Sequence, residues 1–285
     1  RMPVARSPAD VVKGIVKIRI PGPVRGDFTG TGFLINDFGW VATNYHVVAN
    51  ATTAAWAEFV NGQQYQIEGV VAHDPQHDLA IIKLADFPLS ATVLDISYDQ
   101  TPRVGTEVFA VGHPYNVPFS VSKGIVSRVL STDDLLRQVK DAIGREIRAP
   151  VDTVWIQHDA KTAVGNSGGP LVDESGRVLG VNTFLHLKAE YGYASHVRYL
   201  RALAAKASGQ LTPLPSPGQT PPRPKPPSGR PELEPDLVVR LNDLLVQAQA
   251  MDFLPTDKAQ YAVLAELAGW LTLARHVKEK GPPPD

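Results

Sequence analysis

One serine of the sequence lies in a setting that can make its hydroxyl a nucleophile: Ser167, in the segment GNSGGP at residues 165–170. A serine hydroxyl reacts poorly unless a base takes its proton and donors stabilise the oxyanion that forms. Glycines on both sides let the backbone turn tightly, so that amide hydrogens point at one position. The N–H groups of Gly165 and Ser167 are the natural donors. The segment therefore indicates acyl transfer, with a purely structural tight turn as the alternative.

A histidine and an aspartate elsewhere in the chain have the properties that such a serine requires. His46 directly follows a β-type run, and histidine titrates near neutrality, as a general base must. Asp78 opens the apolar run LAIIKL at residues 79–84. A carboxylate anchored there can fix the imidazole tautomer and stabilise the imidazolium. We predict His46 as the general base and Asp78 as the orienting carboxylate; a structural histidine and a strand-start aspartate are the alternatives.

The cluster HDPQHD at residues 73–78 has a second interpretation, as a set of metal ligands. Pro75 favours a loop, and no motif positions a distant third histidine, so we predict neither a metal nor another cofactor. His113, in the segment GHP, is interpreted as a loop residue near the junction of two barrels. The sequence contains no cysteine, which excludes disulfides, cysteine nucleophiles and thiolate metal ligands.

Composition limits the remaining classes of function. The 285 residues include 28 basic and 29 acidic side chains, a net charge of −1. This balance argues against binding to nucleic acid or anionic lipid through a strong electrostatic field. No window approaches the ~18 apolar residues of a membrane span, so none is predicted. The chain as given shows no signal peptide, which leaves the compartment open between the cytoplasm and a bacterial envelope.

Residues 11–195 contain short runs rich in Val, Ile and Thr, separated by turn residues, a pattern typical of an all-β barrel or sandwich. The polar segment 95–104 is suited to join two barrels. Two helices interrupt the pattern: an amphipathic insertion at 133–147, with Leu136 on its apolar stripe, and a closing helix at 196–207. The predicted strands are 11–20, 32–36, 40–43, 65–72, 79–84, 107–112, 120–129, 153–158, 170–172 and 177–184.

The chain changes character after residue 211. Residues 212–235 hold ten of its 25 prolines, which predicts an extended linker. Its PxxP spacing would also suit an SH3-type ligand, although a spacer is the commoner role. Residues 236–281 predict a helical hairpin, because leucines recur at helical spacing on both sides of Pro255. The hairpin either packs against the preceding domain or binds a partner or substrate, and the pattern favours neither.

Three segments together resemble the HtrA/Deg group of trypsin-like serine proteases. GTGFLI at 30–35 with VATNYHV at 41–47 looks like their histidine region, and DPQHDLA at 74–80 like their aspartate region. IQHDA at 156–160, continuing to GNSGGP, looks like their serine region. The order His, Asp, Ser is that of the chymotrypsin clan. The resemblance spans about residues 11–205 and implies a double β-barrel, with barrels near 11–98 and 104–195 inside a protease domain of residues 1–211.

The resemblance also implies where the primary specificity pocket lies. In this chain it would be formed by Lys161, Thr183, Phe184, Leu185 and Gly192. Leu185 stands where deep-pocket trypsins have glycine, so we expect a shallow pocket and a small or medium aliphatic P1 residue. Lys161 or His158 would instead favour an acidic P1 residue.

The predicted function is therefore peptide-bond hydrolysis by a serine endopeptidase, through a Ser-His-Asp triad and an acyl-enzyme. HtrA relatives usually carry a PDZ domain, and nothing after Thr212 resembles one, so PDZ-gated activation is not transferred. A regulatory partner acting through 236–281 or the 133–147 helix is a second expectation. The alternative function is a latent or inactive protease-fold scaffold that acts by binding other proteins.

Overall fold

The computed structural model describes residues 2–21, 27–49, 51, 55–113, 119–139, 147, 149–163, 165–186 and 191–213. The chain divides into two compact units, residues 1–221 and 222–285. Most of the predicted linker and all of the predicted helical hairpin lie outside the described residues. In the part of the chain that the structure describes, no helix is both long and apolar enough to cross a membrane.

Six antiparallel strands form the first barrel. The strands are β1 (Ile15–Pro21), β2 (Asp27–Leu34), β3 (Trp40–Thr43), β4 (Trp56–Phe59), β5 (Gln64–Asp74) and β6 (Leu79–Leu84). Their order is β5-β4-β1-β2-β3-β6, and pairing between β5 and β6 closes the ring. The short strand β13 (Thr212–Pro213), the last of the described chain, also pairs with β5.

Six further antiparallel strands form the second barrel: β7 (Glu107–Gly112), β8 (Ser120–Ser131), β9 (Val154–His158), β10 (Pro170–Val172), β11 (Val178–Leu185) and β12 (Gly192–His196). The barrel is closed in the order β10-β11-β12-β9-β8-β7, which leaves the sheet without free edges. Nearly every residue of β10, β11 and β12 is buried.

Helices are short and peripheral. The first, α1 (Pro8–Val11), is capped by the Ser7 side chain, which accepts from the Asp10 N–H, and a single 3-10 turn follows at Val12–Gly14. The others are α2 (Tyr45–Val48), α3 (Thr132–Val139) and α4 (Val197–Lys206).

The two barrels share apolar packing. Each has its own interior cluster, represented by Ile18 and Phe59 in the first barrel and by Ala110 and Ile156 in the second. A further buried cluster draws residues from both: Phe33 and Ile81 of the first barrel; Val111, Val172 and Val181 of the second. This shared cluster fixes one barrel against the other, so groups at their junction keep a defined geometry.

The prediction of an all-β double barrel is confirmed, and the local differences have physical reasons. Residues 11–14 are helical rather than part of the first strand, because the Ser7 cap and Pro8 start a helix there. Strand β4 was missed because it is short and carries the charged Glu58. Strand β12 was missed because its small and polar residues lack a β signal, although pairing with β9 and β11 buries all of them.

The predicted helical insertion begins at Thr132, and residues 140–146 of it lie outside the described residues. Its buried leucine is Leu135 rather than Leu136, and it packs with Trp155 and Phe184. Ile147, the predicted last residue, lies outside the helix. The closing helix begins one residue later than predicted, because the His196 side chain accepts from the Arg198 N–H and so acts as its N-cap.

Candidate active site

A histidine–aspartate pair lies where β3 leads into α2. The Nδ1 atom of His46 is 2.6 Å from Oδ2 of Asp78, and the backbone N–H of His46 donates to the other carboxylate oxygen at 2.9 Å. The carboxylate thus contacts both the ring and the backbone of the same residue. Because Nδ1–H donates to the carboxylate, Nε2 of the neutral ring carries the lone pair that a base needs.

The backbone of Asp78 aims this carboxylate. Its φ of 56° is left-handed, a conformation that aspartate tolerates better than most side chains. Its carbonyl accepts from the Tyr45 N–H at 3.0 Å and from Nδ2 of the buried Asn44 at 2.8 Å. Asp78 is therefore attached at several points to the segment that carries His46, and β3–β6 pairing keeps the two segments adjacent.

Ser167 lies in a loop of the second barrel between β9 and β10. Gly165 and Gly168 have φ values of 104° and 85°, which an L side chain rarely adopts. The Asn166 N–H donates to the Ala163 carbonyl at 3.0 Å, and the Gly168 N–H donates to Asn182 O at 2.8 Å. The N–H groups of Gly165 and Ser167 donate to no other described residue. These two amides are therefore available to an oxygen atom of a ligand within the described part of the site.

The serine loop contacts the first barrel directly. Thr31 N–H donates to Ser167 O at 2.8 Å, and its hydroxyl donates to Gly165 O at 2.6 Å. A Cβ on Gly168 would lie 2.2 Å from Thr31 O and 2.3 Å from Thr43 Oγ1, so only glycine allows this approach. Thr43 lies three residues before His46. The structure thus places the serine loop against the segment that leads to the histidine.

A small pocket opens beside Ser167. Four of the five predicted specificity residues line it. The fifth, Lys161, is exposed and is not among the described lining residues. The lining residues are Thr162, Ala163, Asn166, Ser167, Asn182, Thr183, Phe184, Leu185 and Gly192.

His158 lies behind this pocket. It is fully buried, and its Nε2 is 3.0 Å from Oδ1 of Asn182. Because Asn182 donates its own Nδ2 to Pro170 O, its oxygen faces the histidine, and Nε2 carries the proton. Burial lowers the pKa of His158 to about 4. A Cβ on Gly192 would lie 2.3 Å from the ring, so the glycine permits this packing.

Two other histidines that the sequence singled out, His113 and His77, have contacts with groups outside the His46–Asp78 pair. His113 is buried against Phe119, and burial lowers its pKa to about 4, with Lys17 contributing. His77 is 2.6 Å from Asp74 and stacks on Tyr199. Among the described residues, no group of three or more His, Asp or Glu side chains is arranged to hold a metal ion.

Three positioning residues were not identified from the sequence: Thr31, Asn44 and Asn182. Thr31 and Asn44 occur inside the segments GTGFLI and VATNYHV, so a signal was present at the level of the motif. Their roles depend on contacts between residues far apart in the chain, and such contacts leave no local pattern.

Comparison with known proteins agrees with this geometry. The model of the trypsin-like peptidase domain family matches residues 30–181, slightly more than half of the chain. The chain is 34% identical over 192 residues to "Protease Do-like 5, chloroplastic" of Arabidopsis thaliana, covering 62% of this chain and 54% of the relative. It is 36% identical over 163 residues to "Probable periplasmic serine endoprotease DegP-like" of Brucella suis, covering 57% of this chain and 29% of the relative.

A solved structure shows the same similarity. The crystal structure of an M. tuberculosis protease in its active form matches with a TM-score of 0.60 at 25% identity, covering 75% of this chain and 93% of that one. The chain spans about half or less of the length of the two curated relatives. The resemblance to HtrA/Deg proteases is confirmed, and the chain belongs to the trypsin-like peptidase domain family.

Proposed function

We propose that the chain is a serine endopeptidase in which Ser167 is the nucleophile, His46 the general base and Asp78 the carboxylate that orients it. The observation that carries the proposal is the two-point contact between His46 and Asp78, at the junction where the Ser167 loop packs. Membership of the trypsin-like peptidase family supports the proposal, as does the name of the Brucella relative, which describes a serine endoprotease.

The first half of the proposed reaction forms an acyl-enzyme. His46 Nε2 takes the Ser167 hydroxyl proton as Oγ attacks the carbonyl carbon of the scissile peptide. The carbonyl oxygen becomes an oxyanion, which accepts from the Gly165 and Ser167 N–H groups. Collapse of this intermediate breaks the C–N bond, and the proton on Nε2 passes to the leaving amine.

Water completes the cycle. It loses a proton to Nε2 as it attacks the acyl carbon, and the second oxyanion occupies the same pair of amides. Collapse breaks the ester bond, and the proton returns from Nε2 to Ser167 Oγ. Throughout, the Asp78 carboxylate holds Nδ1–H and stabilises the imidazolium. Two amides that point at one position before the substrate arrives need no reorganisation when charge develops, and each is worth about 10²–10³ in kcat.

A small or medium aliphatic P1 residue fits the pocket better than an acidic one. Phe184 and Leu185 supply apolar lining. The resemblance to deep-pocket trypsins, which have glycine where Leu185 stands, implies that Leu185 makes the pocket shallow. The acidic alternative requires a positive charge at the base of the pocket. His158 stays uncharged at neutral pH because burial lowers its pKa to about 4, and Lys161 is exposed outside the lining. We therefore assign aliphatic P1 specificity, within polypeptide substrates.

Regulation through the C-terminal region or the helical insertion is a further part of the proposal. It is supported by the proline-rich composition of residues 212–235 and by the apolar contact between α3 and the cluster of Trp155 and Phe184, which reaches the pocket. A variant that ends at Pro213 keeps β13 and removes the rest. A change in kcat between this variant and the full chain would support gating by the C-terminal region. Identical rates would show that the C-terminal region takes no part in gating.

Digestion of unfolded casein tests the catalytic proposal. We expect the full chain to generate peptides and Ser167→Ala to lose at least about 10³-fold of the rate, because no other group replaces the nucleophile. Ser175→Ala is the matched control, since Ser175 is exposed and donates to Asp173 in the turn between β10 and β11, outside the Ser167 loop. Equal rates for Ser167→Ala and the wild type would overturn the assignment. A folded wild-type protein without turnover would favour the scaffold alternative.

A further inference from the structure

We propose that Thr31 is a positioning residue for the oxyanion-binding loop, through which the first barrel sets the geometry of the second barrel's active-site amides. This inference rests on the proposed function, since it gives a role to a residue that contacts Gly165 and Ser167 without contacting the reacting atoms. The key observation is that both residues assigned as oxyanion donors accept a hydrogen bond from Thr31.

The two bonds fix the loop at both donor residues. The Thr31 hydroxyl donates to the Gly165 carbonyl at 2.6 Å, and the Thr31 N–H donates to the Ser167 carbonyl at 2.8 Å. The Asn166 N–H, in the peptide that contains the Gly165 carbonyl, donates to Ala163 O at 3.0 Å. That peptide plane is therefore held from opposite sides, by the first barrel and by its own loop.

A fixed peptide plane matters at this position because Gly165 has wide conformational freedom. Its φ of 104° lies where glycine moves easily and other residues do not. Once the peptide plane after Gly165 is held, the direction of the Gly165 N–H depends only on the φ and ψ of Gly165 itself, and no longer also on movement of that plane. Without the hydroxyl, the loop retains the bond to Ala163 but loses its side-chain contact with the first barrel.

The burial and the hydrogen bonds of Thr31 hold its hydroxyl in place for the contact with Gly165. Its side chain is fully buried in β2. Its hydroxyl also accepts from the His113 N–H at 3.2 Å, and its carbonyl accepts from the Thr43 hydroxyl at 2.7 Å. The hydroxyl thus has both a donor and an acceptor role, which a valine of the same shape cannot supply. A buried threonine used only for packing would not need either.

Labelling with a fluorophosphonate probe measures the effect without a known substrate, because the phosphonyl oxygen uses the same amides as a peptide oxyanion. In Thr31→Val we expect the maximal labelling rate constant to fall at least tenfold, toward the roughly 100-fold loss that an ~1 Å misplacement causes. The probe concentration at half-maximal rate should change less than threefold. Thr31→Ser keeps the hydroxyl and should restore the rate to within threefold of the wild type.

A matched control separates positioning from stability. Thr153 is also buried, and its hydroxyl has no partner among the described residues, so Thr153→Val makes the same chemical change outside the loop. We expect wild-type labelling from it. Circular dichroism at the assay temperature tests whether each variant is folded. If Thr31→Val is unfolded, Thr31→Ala replaces it, because alanine lacks the second methyl group that valine puts in the place of the hydroxyl.

Three results would overturn the inference: a Thr31→Val rate within threefold of the wild type, a Thr31→Ser variant as slow as Thr31→Val, or a loss that merely follows the folded fraction. These differ from failure of the proposed function. If Ser167→Ala is labelled as fast as the wild type, or the folded wild type is not labelled at all, the nucleophile assignment itself is wrong. If Ser167→Ala is silent while Thr31→Val reacts normally, only the role of Thr31 is removed.

Discussion

The two barrels hold their parts of the candidate active site in different ways. In the first, His46 and Asp78 are joined by direct side-chain contacts within one closed sheet, and the left-handed backbone of Asp78 aims the carboxylate. In the second, Ser167 lies in a glycine loop whose backbone is held by hydrogen bonds, one of them from the N–H and one from the hydroxyl of Thr31 in the other barrel. The His46–Asp78 pair thus depends on contacts within one barrel, whereas the geometry of the Ser167 loop depends on how both barrels pack.

The barrels also differ in their histidines. His113, His158 and His196 of the second barrel are buried, and burial lowers the pKa of each to about 4. In the first barrel, His46 and His77 keep part of their surface in solvent, with side chains 39% and 16% exposed. Protonation of these three buried histidines therefore opposes folding of the second barrel, the one that carries the serine and the pocket.

The largest expected effect separates two histidine–aspartate pairs that look alike. Asp78→Asn should lower kcat by about 10⁴-fold with little change in fold, because an amide no longer fixes the catalytic tautomer of His46. Asp74→Asn is the matched control: Asp74 is also 2.6 Å from a histidine Nδ1, that of His77, but outside the proposed triad. Steady-state hydrolysis of a peptide substrate measures both.

Asp74→Asn should retain most of its activity. If the two variants lose activity equally, the His46–Asp78 pair has no role that the His77–Asp74 pair lacks, and the proposal that only the first pair is catalytic is wrong.

The next effect concerns the close contact between the barrels. Gly168→Ala should lower the free energy of unfolding by at least about 3 kcal/mol, since a methyl group would collide with the backbone of Thr31 in addition to the cost of its left-handed φ. Gly105→Ala, at a nearly identical φ of 86° with open space around it, should cost only about 1–2 kcal/mol. Chemical denaturation followed by tryptophan fluorescence compares the two. Equal losses would mean that the barrels do not pack tightly at residue 168.

Acid sensitivity gives a smaller and graded effect. The folded-state pKa of each buried histidine, about 4, lies below its ordinary value of 6.5, so the unfolded chain binds more protons between these pH values. Stability should therefore fall as the pH drops from about 6.5 toward 4, at a slope of about 1.4 kcal/mol per pH unit for each histidine. Denaturation at several pH values measures the slope.

His196→Asn sharpens that test. Asparagine keeps a good N-cap for α4 but does not titrate in this range, so the slope should decrease by about one histidine's share. An unchanged slope would show that His196 does not contribute to the loss of stability in acid.

The smallest expected effect lies in the pocket. Leu185→Ala removes apolar bulk from the lining. If Leu185 limits the depth of the pocket, as we propose, the preference should move toward larger aliphatic P1 residues, with kcat/KM ratios changing by about tenfold, as expected for one or two methylene groups. A peptide series that differs only at P1 measures this. Preference for an acidic P1 residue in the wild type would contradict the assignment that rests on the uncharged His158.

The parts of the fold that could be predicted from the sequence are those with a local signal. Short runs rich in Val, Ile and Thr predicted most strands. The histidine after β3 and the aspartate before β6, each selected from its own neighbours, lie in contact, and their roles and that of the glycine-flanked serine stay predictions. Strand β12 was not predicted because its buried small and polar residues resemble a loop. In α3, Leu135 is buried instead of Leu136, because tertiary contacts and not helical periodicity determine which face of the helix is buried. The roles of Thr31 and Asn44 exist only once distant segments meet, so no periodicity or spacing could reveal them.

Mapping the site of a fluorophosphonate adduct by mass spectrometry tests the central claim most directly, because it requires the nucleophile, the base and the oxyanion donors at once. The account predicts a single modified residue, Ser167, in the wild-type chain, and no adduct in folded His46→Ala. Modification of a different serine, or undiminished modification of Ser167 in His46→Ala, would contradict it.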